Sequence, residues 1–163
     1  MRTELIPLTS YTVSSNPIEL DDYNSNSYAV YCATNSKNKV FLCYKPDEKR
    51  GPDPRCDYLL VCNGDGSVRF IELKGVNYSP TTVNCCKSVW AHAFHQLVET
   101  YITYEELIDA KKDVVSMILC TSVSNDRGKQ RGSTRYKQYP YYKKILMRGI
   151  TPRVLYSDEI DEV

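Results

Sequence analysis

The sequence predicts a mixed α/β fold built on a central sheet, and three observations lead there. Short β-branched and aromatic runs recur along the first half of the chain. One of them is joined to the next by Asn63-Gly64-Asp65-Gly66, a strong hairpin signal. From Val83 onward the spacing changes: Trp90, Phe94, Leu97, Tyr101 and Tyr104 follow one another at intervals of three and four, the period of a helix.

Taken in order, residues 1–27 are polar and rich in Ser, Asn and Tyr. Asn16 as a cap and Pro17 in the first turn predict a short helix over 17–23. The runs YAVYCAT (28–34) and KVFLCYK (39–45) read as two strands joined by a turn at NSKN. Residues 46–55 hold three of the eight prolines among charged residues and read as an exposed loop. CDYLLVC (56–62) and SVRFIELKG (67–75) form the predicted antiparallel hairpin, followed by the long helix over 83–112. The near-continuous apolar run VVSMILCTSV (114–123) is expected to be a buried strand. A helix starting near Pro140 and a last strand at RVLYS (153–157) complete the order.

The chain has 163 residues, 42% of them hydrophobic and 25% charged, which suits one domain with a conventional core, 1–163. No run of 18 apolar residues occurs, and the first twelve residues lack a signal-peptide core, so a soluble, intracellular (cytoplasmic) protein without a membrane partner is expected. Seven cysteines, an odd number set mostly in strand-like runs, read as reduced core residues. Cys85 and Cys86 with His92 and His95 do not have zinc-site spacing.

The formal charge of +1 hides a segregation. Between Arg127 and Arg153 there are nine Lys or Arg and no acid, while SDEIDEV at the end carries four acids. In the basic segment, about 125–153, Arg127, Lys129, Arg131, Arg135 and Lys137 interleave with tyrosines that include Tyr136. Lys49, Arg50 and Arg55 add a second basic element just before Asp57. Phosphate neutralisation combined with ring stacking predicts salt-sensitive, largely sequence-independent nucleic-acid binding.

The hairpin also places chemistry. With the turn centred between Gly64 and Asp65, cross-strand partners have numbers summing to 129, so Asp57 faces Glu72. Opposed like charges are destabilising unless something positive offsets them. Side chains alternate along a strand, so Lys74 shares the face of Glu72 while Leu73 turns away. Two carboxylates and a lysine at the end of an otherwise apolar face suit a hard divalent cation, Mg²⁺ or Mn²⁺, and phosphate chemistry. Asp57 and Glu72 are the expected ligands, with Lys74 orienting water or offsetting charge. No glycine-rich phosphate loop, nucleophile elbow or dinucleotide fingerprint supports a small-molecule enzyme.

Asp57, fourteen intervening residues, then Glu72-Leu73-Lys74 resembles the PD-(D/E)XK nuclease superfamily, with Pro54 standing three residues before the aspartate rather than next to it. The resemblance covers about residues 17–122 and implies a restriction-endonuclease-like αβββαβ core with flanking helices. It also implies metal-dependent hydrolysis of DNA, RNA not being excluded, in repair, junction resolution, restriction or defence, with a homodimer for a resolvase-like role. RecB-like members carry a glutamine and a tyrosine on the following helix, and Gln96 and Tyr101 look similar with a spacing one residue longer. Many members take a further acidic ligand from the first helix, a position that falls to Glu19, with Asp22 behind it. The alternative is a nuclease-fold nucleic-acid-binding or structural subunit without turnover of its own.

Overall fold

The computed structural model describes residues 6–21, 29–48, 53–62, 64–75, 83–109, 113–121 and 135–163, with the side chains of 83–89 and of Arg135 outside that description. The protein is mixed α/β. Nine strands, β1 (Ser10–Val13), β2 (Ile18–Asp21), β3 (Val30–Thr34), β4 (Phe41–Tyr44), β5 (Tyr58–Cys62), β6 (Ser67–Lys74), β7 (Val114–Thr121), β8 (Arg153–Tyr156) and β9 (Asp161–Glu162), are described beside two helices, α1 (Val83–Tyr104) and α2 (Pro140–Leu146).

Six strands form one sheet in the order β1-β4-β5-β6-β7-β8. The pairs β1-β4, β4-β5 and β5-β6 are antiparallel, and β6-β7 and β7-β8 are parallel. α1 is the crossover between β6 and the parallel β7, the connection such a pair requires. Both faces of this sheet are covered. Leu59, Val61, Val68 and Phe70 meet Phe94, Leu97 and Val98 of α1 and Tyr142 and Ile145 of α2. Leu60, Ile71, Leu73, Ile118 and Cys120 meet Ile18, Leu20, Tyr31 and Ala33 of a second sheet, β2-β3-β9. The result is three layers, which explains why every residue of β5 is buried and why YLLVC reads as a continuous apolar run instead of an alternating one.

The hairpin register is as expected: Tyr58 pairs with Ile71, Leu59 with Phe70, Leu60 with Arg69 and Val61 with Val68. Gly66 takes a positive φ of 70° and donates its N–H to the Cys62 carbonyl, while Asp65 accepts from Ser67 N at 2.9 Å. A left-handed residue closes this turn, and glycine adopts it without steric cost.

Three expectations are corrected. The helix over 17–23 is absent where the chain is described; β2 occupies 18–21 with Ile18 and Leu20 inward and Glu19 outward. Four residues cannot separate a period of 2 from a period of 3.6, and pairing with β3 decides. YAVYCAT and KVFLCYK do form strands, but they are not partners: β3 belongs to the small sheet and β4 to the large one. The link between them is a corner pinned by buried Asn35, which donates to the Lys39 carbonyl at 2.8 Å and accepts from Lys39 N at 2.8 Å. The long helix ends at Tyr104, and a 3₁₀ turn, Glu105–Leu107, follows.

The tail returns as β9 alongside β3, held by Asp161. Its buried carboxylate accepts from Tyr31 Oη (2.7 Å), Arg69 (3.0 Å) and Arg153 (3.0 and 3.1 Å). Burial alone would raise the Asp161 pKa, but the bonds from Arg153 and Tyr31 and the charges of both guanidinium groups outweigh it and leave the carboxyl below its usual range. The same burial, with Asp161 alongside, pushes the Tyr31 phenol upward, so it stays a donor.

The five cysteines with described side chains, Cys32, Cys43, Cys56, Cys62 and Cys120, are free thiols, and all but Cys32 are buried. Burial raises the Cys43 thiol to about 11 and the Cys120 thiol to about 12, which keeps both protonated and inert. Among the described residues no helix is long and apolar enough to cross a membrane.

Candidate active site

Asp57, Glu72 and Lys74 come together where the face of β6 that meets α1 runs out of apolar residues. Phe70 packs edge-on against Tyr101, with ring centroids 5.8 Å apart, and the next residue on that face is Glu72. The Glu72 side chain is fully buried. Its Oε2 accepts from Asp57 N at 3.2 Å, and Asp57 Oδ2 in turn accepts from Leu73 N at 2.7 Å. These reciprocal bonds continue the hairpin register by one side-chain-mediated step and fix each carboxyl group on the backbone of the opposite strand. Glu72 Oε1 lies 2.7 Å from Lys74 Nζ in a close ion pair. Burial raises the Glu72 pKa well above the carboxylate range, the Asp57 charge raises it further, and Lys74 offsets only part of that.

Helix α1 fixes the chain entering the site. Thr100 Oγ1 accepts from Cys56 N at 2.8 Å while donating to the Gln96 carbonyl, and Gln96 Nε2 donates to the Arg55 carbonyl at 3.0 Å. Gln96 Oε1 is buried without a hydrogen-bond partner. Sequence reasoning found Gln96 but missed Thr100; the available signal was a polar residue four positions after Gln96 on the same helix face. Thr100→Val is expected to strand the buried Cys56 N–H and to cost about 1–3 kcal/mol, read as a lower urea midpoint at an unchanged m-value.

The other expected site residues are placed less favourably. Glu19 lies on strand β2, not on a helix, and points away from the large sheet. It lines a surface cavity of about 600 Å³ shared with Tyr58, whose side chain leaves β5 on the face opposite Asp57 and Glu72. Asp22 lies outside the described residues. Among the described residues no group of three or more His, Cys, Asp or Glu is gathered as metal ligands. The donor set therefore offers two carboxylates, which fits an ion that keeps several waters and takes one or two protein carboxylates.

Of the basic residues, Lys49, Arg50, Arg127, Lys129 and Arg131 lie outside the described residues, as does the side chain of Arg135. Arg55 is largely buried, donates to the Pro54 carbonyl at 2.9 Å and stands 3.6 Å from Asp53. Lys137 is exposed on a 3₁₀ turn, Arg135–Gln138. Tyr136 is not a free stacking platform: its ring packs against Trp90 at 5.5 Å, Phe94 at 5.9 Å and Tyr142 at 5.5 Å. Further along, Lys144 pairs with Glu99, Arg148 with Glu105 and Arg153 with Asp161, so acids from elsewhere neutralise part of a run that carries none of its own.

No family model matches the chain, and neither a curated protein nor a solved structure matches it.

Proposed function

We propose that this chain is a metal-dependent phosphodiesterase. More particularly, we propose a Mg²⁺- or Mn²⁺-dependent deoxyribonuclease of the PD-(D/E)XK kind. The observation that carries the reading is the Asp57–Glu72 pair, a fully buried glutamate whose carboxylate accepts from the backbone of a half-buried aspartate, beside Lys74. Burying the Glu72 charge next to that of Asp57 is costly. A divalent cation would relieve that cost, which acts in the direction that raises the Glu72 pKa. Three antiparallel strands, a crossover helix and a parallel strand supply the setting that the motif implies.

Asp57 and Glu72 would hold the ion, which when bound supplies Lewis-acid polarisation of a phosphate oxygen and a more acidic water. The residues of the chain then have separate tasks. Leu73 N and Asp57 N orient the two carboxylates, Lys74 places positive charge near the transferring phosphoryl group, and Gln96 and Thr100 hold the backbone of 55–56. Exposed Lys137, with the basic residues around it in the sequence, suits a polyphosphate backbone as substrate.

The test is cleavage of labelled duplex, branched and single-stranded DNA, with RNA in parallel, in Mg²⁺, Mn²⁺ and EDTA. Cleavage is expected with metal and lost in Asp57→Ala, Glu72→Ala and Lys74→Ala. Undiminished cleavage by those variants overturns the reading. A second reading, a nucleic-acid-binding subunit without turnover, draws support from the two-carboxylate donor set and from Lys74 being already engaged with Glu72. Calorimetry that detects Mn²⁺ and DNA binding, with none of these substrates cut, would favour it.

A further inference from the structure

The cover of the large sheet thins at its β1 end. β9 is tied to Arg153 of β8 and β2 to Tyr58 of β5, whose Oη donates to the Asp21 carbonyl, so β2 is the strand of the small sheet that faces β4 and β1. Tyr11 pairs with Cys43 and Val13 with Phe41, which puts Tyr11 and Val13 on the covered face, yet Tyr11 stays 45% exposed. The space beside β2 is a groove of about 600 Å³, within the range of ligand sites. Tyr11, Val13 and Tyr58 line it from the large sheet and Glu19–Asp21 from the small one. Ser14 and Ser15 also line it, and both their carbonyls accept from Asn35 Nδ2.

The β2 side of this groove is an open strand edge. On β3, the Thr34 carbonyl accepts from Val163 N, beyond the side that pairs with β2, and Val30 N donates to Ser157 Oγ. Backbone groups alternate between the two edges of a strand, so Tyr31 and Ala33 turn toward Leu20 and Ile18, and Glu19 and Asp21 direct their N–H and C=O groups outward. The bond from Tyr58 to the Asp21 carbonyl agrees with that direction. Among the described residues, Glu19 N, Glu19 O and Asp21 N have no partner.

We propose that this groove takes an extended peptide of alternating apolar and basic residues from a partner protein, added antiparallel to β2 as a further strand of the small sheet. Main-chain bonds supply the affinity of such an addition, and alternate side chains supply its specificity. Directly opposed residues share a face. Those opposite Glu19 and Asp21 stand beside two carboxylates on the outer face, where Lys or Arg fits, and the one opposite Leu20 faces Tyr11, Val13 and Tyr58, where an apolar side chain fits. Lys45 lines the groove as well, but it is engaged with the Tyr58 ring at 5.8 Å and with Glu48 at 3.9 Å, so the acids set the charge along β2. The proposal stands apart from the nuclease reading, because Tyr58 leaves β5 on the face opposite Asp57 and Glu72.

The experiment measures fluorescence anisotropy of the full chain, without metal, with a labelled, capped peptide that alternates valine and lysine and is long enough to span β2. It is expected to bind about tenfold tighter than the valine–glutamate peptide, and a Glu19→Lys, Asp21→Lys double variant should reverse that preference at an unchanged thermal midpoint. N-methylation of the lysines removes the N–H groups that would face Glu19 and should weaken binding about tenfold, whereas N-methylation of the valines should not. Hydrogen exchange at the Glu19 and Asp21 amides should slow when the peptide is bound. Absence of binding overturns the proposal, as does binding that N-methylated lysines leave unchanged, which would mark charge attraction without strand addition. A parent dimer that Glu19→Lys dissociates overturns it too, since a second copy would then occupy the groove.

Discussion

Glu72→Gln is expected to be more stable than the parent protein in EDTA at neutral pH and to cleave nothing. The gain in stability arises because the parent must ionise a fully buried carboxyl group beside Asp57, with Lys74 as partial compensation. The sign follows from linkage. A carboxyl whose folded pKa lies above its unfolded value contributes its full stability below the ordinary glutamate range, about pH 4.3, and loses it as pH rises through the folded value. Gln does not titrate, so the difference between variant and parent should grow from pH 4 to pH 8. Each 1 kcal/mol appears as about 2–4 °C in the thermal midpoint for a chain of this size. The loss of cleavage should exceed the roughly 100-fold that even an outer-shell partner of a metal costs. Saturating Mn²⁺ should raise the midpoint of the parent and leave that of the variant nearly unchanged. A variant less stable than the parent at every pH would show that the Glu72–Lys74 pair is a net stabilising ion pair, and would remove the physical ground for a metal site.

Asp161→Asn is expected to cost about 3 kcal/mol, within the range for removing one partner of a buried ion pair. Arg69 is mostly buried and loses its counter-charge, Tyr31 Oη keeps only a neutral acceptor, and the half-exposed Arg153 recovers part of its loss in water. The pH dependence is opposite to that of Glu72. The folded pKa of Asp161 is depressed, so its contribution is present above the ordinary aspartate value, about 3.9, and is lost as pH falls toward the folded value. Urea unfolding of parent and variant should therefore differ most near pH 7 and converge in acid. A constant difference down to pH 2 would mean that packing of β9 on β3, not the carboxylate charge, holds the tail.

The elements that were legible in the sequence are those whose information is local. The NGDG turn sets the register of its two strands by backbone geometry, and that register is enough to oppose Asp57 and Glu72 and to align Lys74 with them. Helix α1 was legible because 22 residues span six turns, ample for a period of 3.6 to separate from one of 2. β7 was legible because its second half is covered on both sides and reads as the apolar run Met117–Cys120.

Only the tertiary structure decided the remainder. Ile18–Asp21 is too short to declare its period, and it becomes a strand because β3 offers it backbone partners and a buried face for Ile18 and Leu20. Adjacent runs such as β3 and β4 look like a hairpin until a second layer is available, and the burial of Asn35 at their corner decides otherwise. Tyr136 reads as an exposed aromatic among cations, yet Trp90, Phe94 and Tyr142 converge on it from two helices, and burying the ring is worth more than leaving it for a ligand. Composition and spacing specify what a segment offers; which neighbour accepts the offer depends on contacts between residues far apart in the chain, and those exist only once the layers are packed.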